Sequence, residues 1–218
     1  VKEQGIDSNG DPIGDAAGSG KLKVVDADKG ESEFTPLTAN ELKGSYGTFT
    51  FNAKTGAWTY QLDAALSDSL KAGEVVKETL TVQSKDQTDS ETIEVTVTGS
   101  NDAPTVTSAL TASVDEDDAK TSLDLLTGAQ DVDKESQLSV TNVQGLKTGL
   151  TVSGSSLSID PSKFDYLKEG ESEQVTITYD VSDGLGGKVA QTATITVTGS
   201  DDDAVITVDG SQAQDTQV

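Results

Sequence analysis

The sequence predicts an all-β chain built as two β-sandwiches placed end to end. Three observations carry this expectation. Short runs alternate apolar with polar residues, one unit of roughly 100 residues occurs twice, and no long amphipathic helix is present.

The alternation is clearest at residues 48–51 and 58–62, where Lys54-Thr-Gly56 supplies a turn between two candidate strands. Residues 79–82 and 92–98 follow the same period, as do 175–179 and 193–198. The second half adds 138–140, 150–152 and 157–159. Successive side chains of a strand point to opposite faces, so this period suits sheets with one buried face. Many short strands separated by Gly, Asp, Asn and Ser turns point to sandwiches. Residues 63–70 could form one short helical turn, and so could 123–127. Trp58 and Tyr60 share a strand face, which suits core packing better than a surface that stacks on sugars.

The repeat is visible in landmarks. Gly73-Glu74 leads into residues 78–83, Asp86 and Ile93-Glu-Val-Thr-Val-Thr-Gly-Ser-Asn-Asp102. Gly170-Glu171 leads into residues 174–179, Asp183 and Thr194-Ile-Thr-Val-Thr-Gly-Ser-Asp-Asp202. Glu74 and Glu171 stand 97 residues apart and Gly99 and Gly199 stand 100 apart, with the difference placed in a longer hairpin at Gly184-Leu-Gly-Gly187. That period exceeds a solenoid repeat and fits whole domains in tandem. The expected division is 1–103 and 104–203, with 204–218 as the start of a next repeat or a tail. Pro104 stiffens the exit from the first unit.

Composition narrows the chemistry. Hydrophobic residues are 33% and aromatics 4%, enough for narrow sandwiches in which each strand buries alternate residues. An acidic, weakly apolar chain can also be disordered, and the alternation argues against that. Asp and Glu number 38 against 15 cations, all Lys, for a formal charge of −23. Such a chain repels nucleic acid and anionic membranes and attracts small cations. With no Cys, His or Met, the available ligands are carboxylate, amide and carbonyl oxygens, which suit hard cations, calcium first. No apolar stretch reaches the ~20 residues of a membrane span. No signal peptide or initiator Met is visible, and we expect an internal piece of a longer protein.

Catalytic patterns are missing. There is no Ser/His or Cys/His constellation, no P-loop and no dinucleotide fingerprint. The carboxylates recur with the repeat and gather at its ends, unlike a unique pair in a cleft. An enzyme is therefore not expected. A carbohydrate- or protein-binding tip is the rival reading, although no large insertion interrupts the repeat. Ice binding would need a long flat face.

Tyr46-Gly-Thr-Phe-Thr-Phe51, Gly56-Ala-Trp-Thr-Tyr60, Leu70-Lys-Ala-Gly-Glu74 and Thr96-Val-Thr-Gly-Ser-Asn-Asp-Ala-Pro104 together resemble the VCBS repeat of giant bacterial surface proteins. Val114-Asp-Glu-Asp117, Asp131-Val-Asp133, Leu167-Lys-Glu-Gly-Glu171 and Asp180-Val-Ser-Asp-Gly184 are similar to the related cadherin-like repeat. The resemblance covers roughly residues 1–203. It implies Ig-like, cadherin-like sandwiches acting as extender segments of an RTX-type adhesin on a Gram-negative cell surface, serving adhesion and biofilm formation. Its implied partners are neighbouring repeats of the same chain, in a monomer.

The resemblance also implies pooled calcium ligands at the domain junction: Glu3, Glu74, Asn101, Asp102, Asp131, Asp133 and Asp183, helped by carbonyls near Ser100 and Ala103. Half-sites are implied at the free ends, with Asp26, Asp28 and Asp86 upstream and Glu116, Glu171, Asp201 and Asp202 downstream. Two departures stand out. Lys85-Asp-Gln87 replaces the Ser-Asp-Gly of the second unit, and Glu3 lies in the altered run Val1-Lys-Glu-Gln4. Plainer roles remain open: Asp183 as a turn residue before Gly184, Asn101-Asp102 as a solvated linker, and Asp117-Asp118 and Asp202-Asp203 as loop charge. Asp7-Ser-Asn-Gly-Asp11 begins like an EF-hand loop but lacks its terminal Glu.

Overall fold

The structure is a computed structural model that describes residues 1–204. Residues 205–218, most of the expected next repeat or tail, lie outside the described residues. The first half contains β1 (Lys2–Ile6), β2 (Pro12–Asp15), β3 (Ala17–Lys21), β4 (Gly47–Phe51), β5 (Ala57–Leu62), α1 (Ala64–Ser67), β6 (Val75–Gln83) and β7 (Ser90–Thr98). They form one sheet in the order β2-β1-β7-β6 and a second in the order β3-β5-β4. The second half contains β8 (Thr105–Val106), β9 (Leu110–Asp115), β10 (Thr121–Asp124), β11 (Ala129–Gln130), β12 (Ser139–Gln144), β13 (Leu150–Ser153), β14 (Ser156–Ile159), β15 (Ser172–Ser182) and β16 (Lys188–Thr198). Its sheets run β12-β15-β16-β9 and β10-β14-β13, with a small β11-β8 ladder.

Burial follows the period-two pattern. In β6 the side chains of Glu78, Leu80 and Val82 are buried while their neighbours are exposed, and β7 buries Ile93, Val95 and Val97. One core gathers Phe49, Tyr60, Leu62, Leu70 and the β6–β7 aliphatics; another gathers Leu125, Leu157, Ile159, Phe164 and the inward residues of β15 and β16. The two cores share no residue, so the chain is two tandem sandwiches. Fully burying a side chain such as Ile177 or Ile195 stabilises by about 1.5–3 kcal/mol. Each sandwich adds a parallel pairing to its final strand, β1 on β7 and β9 on β16.

The structure departs from the sequence expectation in three places. Residues 123–127 are not helical: Leu123 and Asp124 end β10, and a turn follows. The extra residues of the second hairpin lengthen the ladder instead of the turn, because β15 and β16 stay paired out to Ser182 and Lys188. The third departure is β3, which has no apolar alternation of its own. It pairs with β5, and Gly20 leaves room for the Trp58 ring, whose Cε2 and Cζ2 atoms would lie 2.7 Å from a Cβ. Tyr60 is fully buried against Phe49 with ring centroids 4.7 Å apart, whereas Trp58 is half-buried over Gly20.

Candidate cation site at the junction

The chain leaves β7 at Thr98 and enters β8 at Thr105, so residues 99–104 form the whole connection. Ile6 N–H donates to Asn101 C=O at 2.7 Å, pinning the linker to the end of β1. Gly5 permits this approach, since a Cβ there would lie 2.6 Å from Ser100 Cβ. The β1–β2 register shifts between Lys2 and Gly5. Glu3 sits in that irregular stretch of an inner strand and is buried.

Glu3 Oε2 accepts from Ser100 N–H at 3.1 Å. One carboxylate oxygen each from Glu3, Asp68 and Asp102 lie within 4.8 Å of one another. Asp68 follows α1, whose N-terminus is capped by Asp63 accepting from Ala65 N–H at 3.0 Å. From the second sandwich, Asp133 Oδ2 accepts from Asp102 N–H at 2.8 Å, and Asp183 Oδ2 accepts from the Asn101 side-chain amide at 2.7 Å. Asp131 shapes its own loop, accepting from Asp133 N–H at 3.0 Å and from the Ser136 hydroxyl at 2.8 Å.

The junction therefore brings together Glu3, Asn101, Asp102, Asp133 and Asp183, with Asp131 beside them. Glu74 is not in the carboxylate triad around Glu3. Its side chain accepts from Lys71 N–H at 3.1 Å and shapes the loop that follows Asp68. Asp68, which was not among the expected ligands, joins Glu3 and Asp102. A sequence signal existed, since Asp-x-Leu-Lys-x-Gly-Glu occurs at both Asp68 and Asp165.

Four oxygens at the junction are buried without any hydrogen-bond partner: Glu3 Oε1, Asn101 Oδ1, Asp102 Oδ2 and Asp133 Oδ1. Buried polar atoms are nearly always paired, and an unpaired buried charge is costly. Burial pushes the Glu3 carboxyl up to about 7, opposed by the Ser100 N–H and reinforced by Asp102 and Asp68. Burial pushes Asp102 up to about 6, with Asp133 and Asp68 adding repulsion. Asp133 is raised by burial and by Asp131, Asp183 and Asp68, while the Asp102 N–H acts the other way. The donor set is carboxylate and amide oxygen only, which fits a hard divalent cation.

The ends of the chain echo this arrangement unequally. Glu116 is buried, accepts from Ser200 N–H at 2.7 Å as Glu3 does from Ser100, and leaves Oε2 without a partner. Glu171 accepts from Lys168 N–H at 3.3 Å, repeating the Glu74 contact, and Asp201 and Asp202 are exposed. At the other end the close carboxylates are Asp26, Glu31 and Asp86. Asp28 is exposed and outside that group, and its backbone N–H donates to Asp26 Oδ1 at 2.8 Å. Asp86 already accepts from the hydroxyls of Ser84 at 2.6 Å and Thr88 at 2.7 Å. No helix among the described residues is long and apolar enough to cross a membrane.

Fold and site together define a class: tandem β-sandwiches with an acidic, largely buried joint. Residues 100–198 match the family model described as Cadherin-like domain, less than half of the 218 residues. No curated protein matches the sequence. Among solved structures, mouse Cadherin-23 EC22-24 is similar at 17% identity over 78% of this chain, with a TM-score of 0.45. The chain spans about half of that structure, 52%. Human mucin-like protocadherin EC1-2 is similar at 18% identity over 72% of this chain and 84% of its own, with a TM-score of 0.48. The fold assignment rests on the strand topology itself.

Proposed function

We propose that the chain is a calcium-stiffened extender segment of a large extracellular bacterial adhesin, with the junction as its working part. The observation that supports this most directly is the set of four unpartnered, buried oxygens contributed from both sides of a six-residue linker. Glu3, Asp68, Asn101, Asp102 and Asp133 would hold the cation, with Asp131 and Asp183 closing the set. The ion supplies positive charge to oxygens that otherwise repel one another.

Without that charge, Glu3 and Asp68 push against Asp102, and Asp102 against Asp133, so the joint swings. With it, the repulsion becomes shared coordination and the linker loses its freedom. Glu116, with Asp201, Asp202 and Asp165 as the repeat partner of Asp68, would offer the same upper half-site to a following sandwich. Asp26 and Asp86, with Glu31, would face a preceding one. A row of such units stiffens into a rod in calcium-rich water. The resemblance to VCBS and cadherin-like repeats of RTX-type adhesins supports this setting at the bacterial surface, in a role that projects a binding tip and involves no catalysis.

The test is small-angle scattering with calcium titration. Wild type should straighten and stiffen, and magnesium should substitute poorly because it demands tight octahedral geometry. Asp102→Ala combined with Asp131→Ala should abolish the response. A double variant that straightens like wild type would place the cation elsewhere.

A further inference from the structure

A second contact crosses the junction, and it is made by backbone atoms. The β1–β2 turn is closed by Asp7, which accepts from Asn9 N–H at 2.8 Å and Asp11 N–H at 3.1 Å. The β15–β16 turn is closed by Asp183, which accepts from Leu185 N–H at 2.7 Å and Gly187 N–H at 3.0 Å. The two turns meet backbone to backbone. A Cβ on Gly186, at φ +120°, would clash with Asp7 C=O and lie 2.9 Å from Ser8 C and 3.0 Å from Ser8 Cα. From the other side, a Cβ on Gly10 would lie 3.4 Å from Gly186 C=O. The seat is close to the ligands in sequence: Asp7 is four residues after Glu3, and Gly186 is three after Asp183. A surface ion pair, Lys71 with Glu135, also spans the joint near Asp68 and Asp133.

We propose that Gly186 is a positioning residue for the junction: the contact of its turn with residues 7–10 narrows the range over which the two sets of oxygens move before any cation arrives. This deepens the proposed function and rests on it. Preorganised ligands bind more tightly because less motion is frozen on binding. A side chain at residue 186 pushes the turns apart and lowers cation affinity without removing a ligand. The seat also limits how far the ion-free joint swings.

Gly184 provides the control. It lies in the same turn at φ +78°, and a Cβ there meets nothing within 4 Å. Gly184→Ala and Gly186→Ala therefore both strain the turn, but only Gly186→Ala invades the other sandwich. Calcium affinity is measured by titration calorimetry on the whole chain, and scattering is recorded in chelator and in calcium. Gly186→Ala is expected to weaken calcium binding about tenfold or more, within the usual range of coupling between sites, and to broaden the ion-free ensemble. Gly184→Ala is expected to stay near wild type in both measurements. Equal calcium affinity and identical scattering for Gly186→Ala and wild type would overturn the proposal, as would equal weakening by Gly184→Ala. If wild type shows no calcium response while Gly186→Ala still alters chelator scattering, the cation reading fails and the seat stands.

Discussion

Glu3→Gln should reverse the sign of its effect between chelator and calcium. Glu3 is 1% exposed, and its carboxyl sits near pH 7 against an ordinary 4.5. A raised folded pKa means the folded protein holds the proton more tightly than the unfolded chain. The penalty of ionisation is absent below about pH 4.5, grows as pH rises and is complete above about pH 7. Each pKa unit is worth about 1.4 kcal/mol, so the ion-free protein at pH 8 carries a burden of about 3 kcal/mol at this residue. Gln keeps an oxygen for Ser100 N–H and offers an amide N–H toward the neighbouring carboxylates, with no charge to bury. In chelator at pH 8 the variant should melt higher, by about 4–8 °C for each kcal/mol in a unit of this size. In millimolar calcium the order should invert, because wild type gains RT ln(1 + [L]/Kd) and the variant binds the ion more weakly. Thermal melts of both proteins at pH 5 and pH 8, with chelator and with calcium, decide it. A variant that melts lower in chelator at pH 8 and shows an undiminished calcium shift would refute the reasoning.

Two further expectations follow from particular contacts. Tyr60 is fully buried, and its hydroxyl has no partner. Tyr60→Phe should therefore be neutral or stabilise by about 1 kcal/mol in denaturant unfolding, and a loss of similar size would reveal a hidden partner. Asp68→Asn should weaken calcium binding about tenfold in calorimetry, while Asp28→Asn, outside the close carboxylates, should leave it unchanged. Equal effects of the two substitutions would remove Asp68 from the site.

Local physics determined much of this protein in sequence. Strand alternation in residues 79–82 and 92–98 could place Leu80, Val82, Ile93, Val95 and Val97 on one face because the period of a strand belongs to the backbone. The repeat could mark Asn101-Asp102, matched by Asp201-Asp202, as recurring at unit ends, whereas Asp131 and Asp133 were implied only by the resemblance to cadherin-like repeats; the absence of His and Cys left oxygen as the only plentiful ligand chemistry. Tertiary structure decided the rest. β3 exists because Trp58 needs Gly20 beside it, and nothing within Ala17–Lys21 announces that partner. Asp68 joins Glu3 and Asp102 because a capped turn of helix carries it there, while Glu74 accepts from Lys71 N–H. Asp28 stands outside the Asp26, Glu31 and Asp86 group although its spacing matches Asp133. Gly186 read as a turn residue until the other sandwich stood against it. Which acids come together at the junction depends on distances between strands nearly 100 residues apart, and those distances are set by packing rather than by spacing along the chain.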